Sequence, residues 1–200
     1  MDNDQNDEDD ELCIDTVASC PITPELVDQL ATLADLFLGD EEAAEAAMAG
    51  FGWSDLGLEV DEARFRTNEG HLVYGTDTFF MPFAYIYAVG SEVMVEDFWG
   101  ELPGWSSVKD HTRFKAVRDE AVAVFTQRLG PPEVDVTTDG ADQKRYAAWR
   151  RGGAAIVIGE DMDSFSYSQI EECVVYIGEH PADAPFPEAA KLEDFLGWSA

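Results

Sequence analysis

The part of the chain that most constrains the fold is residues 110–177. It opens with DHTRFKAVRDEAVAVFTQRLG, in which apolar residues recur at helical spacing and share one broad face. Gly130 and the two prolines after it end this helix. Apolar segments at residues 144–150, 154–158 and 173–177 then predict three strands of an antiparallel meander. The order predicts a helix packed on an antiparallel sheet.

Two shorter helices are predicted near the N-terminus. Thr23 is suited to cap a helix that has Pro24 in its first position and Glu25 in its first turn. A second helix is expected over residues 40–48, with Gly50 as its stop.

Strands are predicted between these helices and the long one. Residues 63–67 and 71–74 alternate with period two around a glycine turn, which is typical of a hairpin. Residues 82–89 are apolar on both faces and so are expected in the centre of a sheet, whereas residues 92–96 have the charged ends of an edge strand. The predicted fold class is α+β: an antiparallel sheet of about five to six strands, packed by a long helix, with N-terminal helices.

Charge is the outlying property of the composition. The 42 acidic and 12 basic residues give a formal net charge of −30. Eight of the acidic residues and no basic residue lie in the first fifteen positions, so residues 1–20 are predicted to form a disordered acidic tail and residues 21–200 a single domain. The electrostatic field of this negative charge repels nucleic acid and anionic membranes and attracts basic proteins. The acidic residues can also serve solubility alone.

Cysteine content and hydropathy predict a soluble, cytoplasmic protein. Cys13, Cys20 and Cys173 are too few and too scattered for a disulfide framework or a zinc site. The N-terminus lacks the basic start and apolar run of a signal peptide, and no segment approaches the roughly 20 apolar residues of a membrane span. The oligomeric state is left open by the sequence.

Tests for catalytic and metal-binding motifs give no strong match. Asp161, Asp163 and Glu172 occupy the first, third and twelfth places of a calcium loop, but Phe165 and Ser166 stand where a ligand and a glycine belong. An acidic surface loop over residues 160–169 is therefore the preferred interpretation. No nucleophile motif, placed histidine or phosphate loop is present, so no catalytic residue, metal or cofactor is predicted.

Arg118 is the one charged residue in the middle of the helix that falls within its apolar arc. Because fully buried charges are rare, its side chain is expected to extend to the rim of the arc and reach water. The alternative is an ion pair with a buried acid.

Residues 110–181 also carry a resemblance to known proteins. The succession FKAVRDEAVAVFTQRLGPP, RYAAWRRGGAAIVIGED and VVYIGEHP resembles small uncharacterised actinobacterial α+β proteins, in which a helix ending in Leu-Gly-Pro-Pro precedes a hairpin containing tryptophan. Some proteins of this layout are similar to immunity proteins encoded beside polymorphic toxins. The resemblance implies a fold and offers no functional residue to transfer.

The functional hypothesis joins this resemblance to the charge. A non-enzymatic cytosolic inhibitor of a basic toxin needs an acidic face and aromatic anchors. Two alternatives stay open: an acidic structural or regulatory module, including a nucleic-acid mimic, and a metal-dependent hydrolase. The predicted contact residues for a basic protein partner are Glu160, Asp161, Asp163, Tyr167, Glu171, Glu172, Trp99 and Trp105.

Overall fold

A computed structural model describes residues 16–36, 41–57, 64–74, 79–87, 106–108, 111–137, 144–162 and 171–186. These residues form helices and antiparallel strands, which confirms the predicted α+β class. None of the helices in these ranges is long and apolar enough to cross a membrane.

A capping residue marks one end of each helix. Helix α1 (Pro24–Leu36) starts after Thr23, whose hydroxyl accepts a hydrogen bond from the Leu26 amide at 3.1 Å, as predicted for an N-cap. Helix α2 (Glu41–Phe51) is followed by Gly52 at φ 85°, and helix α3 (His111–Leu129) by Gly130 at φ 88°. Both glycines adopt the left-handed conformation that commonly ends a helix.

The strands form two antiparallel sheets. Seven of them make the main sheet, in the order β6-β1-β5-β10-β9-β8-β7, and three short ones make a second sheet in the order β2-β3-β4. In chain order the strands are β1 (Thr16–Ser19), β2 (Ser54–Asp55), β3 (Phe65–Arg66), β4 (Leu72–Val73), β5 (Phe79–Tyr87), β6 (Ser106–Val108), β7 (Val134–Thr137), β8 (Arg145–Arg151), β9 (Ala154–Met162) and β10 (Glu171–Glu179).

The predicted meander is confirmed and is longer than expected. Strands β8, β9 and β10 pair in sequence, with Trp149 opposite Ile156 and Ile158 opposite Val175. Strand β5 lies between β1 and β10, so its central position is also confirmed. Its pairing with β10 is interrupted by a register shift between Cys173 and Val174.

The main hydrophobic core lies between one face of the large sheet and helices α1 and α3. The end of α3 is fixed to β8, because the Trp149 indole donates to the Gly130 carbonyl at 2.9 Å and its ring lies 5.4 Å from that of Phe125. Fully buried side chains from the helices and from the sheet meet here, among them Leu26, Leu30, Leu33, Phe114, Phe125, Phe83, Ile156 and Ile158.

A smaller apolar cluster lies on the opposite face of the same sheet. It consists of Tyr146, Ala148, Ala155, Val157 and Tyr176, and we call it the second-face cluster. Both faces of β8–β10 are therefore apolar, which explains the continuous apolar run in β9.

Three details differ from the sequence predictions. Residues 16–19, assigned to the disordered tail, form a strand between β5 and β6 in which Val17 and Ala18 are fully buried. Helix α2 continues through Gly50, and Gly52 ends it instead, since its positive φ suits glycine. The main sheet has seven strands rather than five to six. The strand predicted over residues 92–96 lies outside the described residues.

Candidate functional site

The predicted contact loop is shorter than the sequence indicates. Strand β9 continues to Met162 and β10 begins at Glu171, so that Glu160, predicted at the start of a polar loop, belongs to a strand. Glu160 is paired with Cys173, and Asp161 with Glu172. We call this part of the molecule, residues 160–162 with residues 171–173, the hairpin end.

The hairpin end contains one residue of a buried ion pair, Glu160. The guanidinium of Arg118, which α3 presents to the sheet, donates to the carboxylate of Glu160 on β9. Arg118 is 7% exposed and Glu160 is 5% exposed. The prediction that Arg118 reaches water was wrong, and so was the placement of Glu160 in an exposed loop. A charge at this depth needs an opposite charge, and each residue supplies it to the other.

The ion pair extends outward into a network of five further hydrogen bonds. Asp119 accepts from Arg118 Nε at 3.0 Å and from Nη2 at 2.9 Å. The same Asp119 oxygen accepts from Arg145 Nη1 at 2.7 Å, and Arg145 also holds both carboxylate oxygens of Asp135, at 2.7 and 2.6 Å. The hydrogen bonds from Arg145 lower the pKa of Asp135, and those to Asp135 raise the pKa of Arg145. Helix α3 is thus joined to β7, β8 and β9 through charges.

The other predicted contact residues divide into three groups. Glu171 is exposed at the start of β10, whereas Glu172 is 2% exposed and is not available at the surface. Asp161 is a residue of β9. The remaining four lie outside the described residues: Asp163, Tyr167, Trp99 and Trp105.

A cysteine, a glutamate and a histidine approach one another in a place that the sequence analysis did not single out. Cys20 Sγ lies 3.7 Å from the Glu69 carbonyl, and the Glu69 carboxylate accepts from the Thr23 hydroxyl at 3.1 Å. His71 Nε2 lies 3.2 Å from the Pro21 carbonyl. The hairpin of β3 and β4 brings the residues together across about fifty positions, so sequence spacing contains no signal for the cluster.

This cluster lacks the electrostatics of a nucleophilic site. Burial and the Glu69 carboxylate raise the pKa of the Cys20 thiol to about 12, and burial lowers the pKa of His71. Burial also raises the pKa of the Cys173 thiol. Because the thiolate is the reactive form, these raised pKa values disfavour Cys20 and Cys173 as nucleophiles at neutral pH. Across the described ranges, no group of three or more Asp, Glu, His or Cys residues is arranged to hold a metal ion.

The arginines are used to neutralise carboxylates. Seven of the eight arginines in the sequence form ion pairs with Asp or Glu. Within the part of the chain that the structure describes, six exposed carboxylates form no ion pair: Glu25, Glu42, Asp55, Glu171, Glu179 and Asp183. The surface beyond the ion pairs therefore has an excess of negative charge.

Comparison with known proteins supplies no relative: no family model matches the chain, and no match is found among curated proteins or solved structures.

Proposed function

We propose that this protein is a non-enzymatic binding protein that takes a basic protein partner at the hairpin end. The observation that carries the proposal is the use of the arginines. Because seven of the eight are held in ion pairs with the protein's own carboxylates, their charge is neutralised, and six carboxylates of the described residues, Glu171 among them, are exposed without an ion pair.

The hairpin end is the preferred contact surface because it combines exposure with rigid support. Glu171 is exposed there, and its strand is paired on both sides, with β5 and with β9. Its Glu160 is paired with Arg118, which fixes β9 to α3. A contact surface that is already ordered loses less conformational entropy when a partner binds. The partner class that best fits the negative charge of this protein is a basic toxin. The protein would then act as the immunity protein that inhibits this toxin.

Binding of a fluorescently labelled arginine-rich peptide, measured by anisotropy, tests the proposal. An acidic peptide of the same length is the control. We expect the basic peptide to bind and the acidic peptide not to bind. The affinity of the basic peptide should fall steeply as the salt concentration rises from about 0.1 M to about 1 M, because the Debye length shrinks from about 10 Å to about 3 Å. Absence of binding, or binding that salt does not change, contradicts the proposal.

Inhibition of a basic enzyme encoded beside this protein's gene tests the finer claim. We expect stoichiometric inhibition that weakens with salt. If the neighbouring protein binds without losing activity, the inhibitor function is wrong even where the general affinity for basic proteins holds.

A further inference from the structure

Residues 180–186 follow β10 and return across the sheet; we call them the strap. The His180 amide donates to the Gly153 carbonyl in the β8–β9 turn at 2.8 Å, which fixes the start of the strap. At its other end the Phe186 ring packs against the second-face cluster. The strap therefore covers apolar residues of the sheet.

Arg150 holds the strap from β8. Its Nη1 donates to the Pro181 carbonyl at 2.6 Å, and its Nη2 donates to the Ala184 carbonyl at 2.8 Å. The guanidinium carbon lies 4.8 Å from the centre of the Phe186 ring, within the range of a cation–π interaction. One permanently charged side chain thus contacts the strap at three points.

His180 is a titratable side chain inside this arrangement. Its imidazole ring stacks on Phe186, with ring centroids 4.4 Å apart and planes inclined by 22°, and the residue is buried. The charged groups that act on it from other elements are Arg150 on β8 and Glu133 before β7. On its own segment the neighbouring acids, Glu179 and Asp183, are exposed.

The surroundings of His180 oppose its protonation. Burial is the largest cause that lowers its pKa, and the Arg150 charge lowers it further; a hydrogen bond to the Ala184 carbonyl and the Glu133 charge act in the other direction. Since the pKa with the strap closed lies below the ordinary value of about 6.5, the closed strap is fully favoured above that pH. It loses this advantage as the pH falls through the lowered pKa.

We propose that the strap is an acid-sensitive latch. With His180 neutral, its ring and Arg150 together hold Phe186 on the second-face cluster. Protonation places a second cation beside Arg150, and the strap detaches, which uncovers the apolar cluster beneath Phe186. The latch lies at the opposite end of β10 from Glu171 and does not depend on the function proposed for the hairpin end.

NMR titration of the whole chain tests the latch. We expect the His180 imidazole to titrate below pH 6.5, with loss of the nuclear Overhauser effects between His180 and Phe186 over the same range. Protection of the Ala184 amide, which donates to Pro181, should fall by up to about tenfold per pH unit, the limit for one linked proton.

Two variants separate the latch from general acid sensitivity. His180→Phe keeps an aromatic ring that cannot titrate, and its strap should stay protected over the same pH range. His111→Gln removes a histidine outside the strap and should behave as the parent chain does. The latch is overturned if His180 titrates while the ring contacts and the Ala184 protection persist, or if His180→Phe opens over the same range as the parent.

Discussion

At one end of the β8–β10 meander Arg118 reaches from α3 to Glu160, and at the other end Arg150 reaches from β8 to the strap. The first arginine is buried and is bound by carboxylates, whereas the second is half-buried and binds two carbonyls, an aromatic ring and the half-exposed Glu133. The difference follows from desolvation. A guanidinium removed from water needs a full opposite charge, while one that keeps water contact can be satisfied by dipoles and a ring face.

The largest effect should come from breaking the buried pair. Arg118→Met leaves Glu160 charged and buried, so we expect the free energy of unfolding to fall by about 3–5 kcal/mol. The double variant Arg118→Met/Glu160→Met removes both charges and should recover most of that loss. Urea denaturation of Arg118→Met, Glu160→Met and the double variant, each compared with the parent chain, gives the coupling energy between the two residues. A single-substitution cost below about 1 kcal/mol would show that the pair is not desolvated.

A packing substitution close to the strap should have an intermediate effect. A methyl group on Gly178 would lie 2.4 Å from the Tyr176 hydroxyl oxygen, so Gly178→Ala forces that buried ring to move and should cost about 1–3 kcal/mol. Gly50→Ala is the matched control: nothing lies within 4 Å of a methyl group there, and it should stabilise α2 by up to about 1 kcal/mol. Thermal denaturation that ranks the two in the opposite order would contradict this description of the sheet.

Arg150→Met repeats the first substitution at the other end of the meander. It removes three hydrogen bonds, one of them in the ion pair with Glu133, and a cation–π contact. It leaves no buried charge without a partner, because Glu133 is exposed. We expect a cost of about 1–2 kcal/mol. Hydrogen exchange should show lost protection in the strap and unchanged protection in β9. An effect as large as that of Arg118→Met would remove the distinction between the two arginines.

Local patterns in the sequence predict most of the elements, because capping, helical periodicity and apolar runs are short-range features. Thr23, the helix that ends before Gly130, and β8–β10 all follow from such patterns. Strand β1 does not, since four residues beside an acidic run acquire their order only by pairing with β5 and β6.

The burial of the predicted contact residue Glu160 is also not predictable from local patterns, because it depends on a contact between distant parts of the chain. Burial of Glu160 depends on where α3 crosses the sheet, and no window of sequence contains that information. A charged residue in an apolar helical arc was the available signal, and Arg118 provided it. The meeting of Cys20 with Glu69 depends likewise on a contact across the fold.

Charge reversal at the two ends of β10 tests the central claim, that the hairpin end binds a basic partner. Glu171→Lys and Glu179→Lys alter the exposed first and last residues of one buried strand and change the net charge equally, but the sites are about 26 Å apart at ~3.3 Å per residue. In about 0.1 M salt this exceeds the Debye length of ~10 Å. We expect Glu171→Lys to weaken binding of the arginine-rich peptide by about five- to tenfold, and Glu179→Lys by no more than about twofold. Equal losses from both variants would contradict the claim, because the peptide would then respond to net charge and not to the hairpin end.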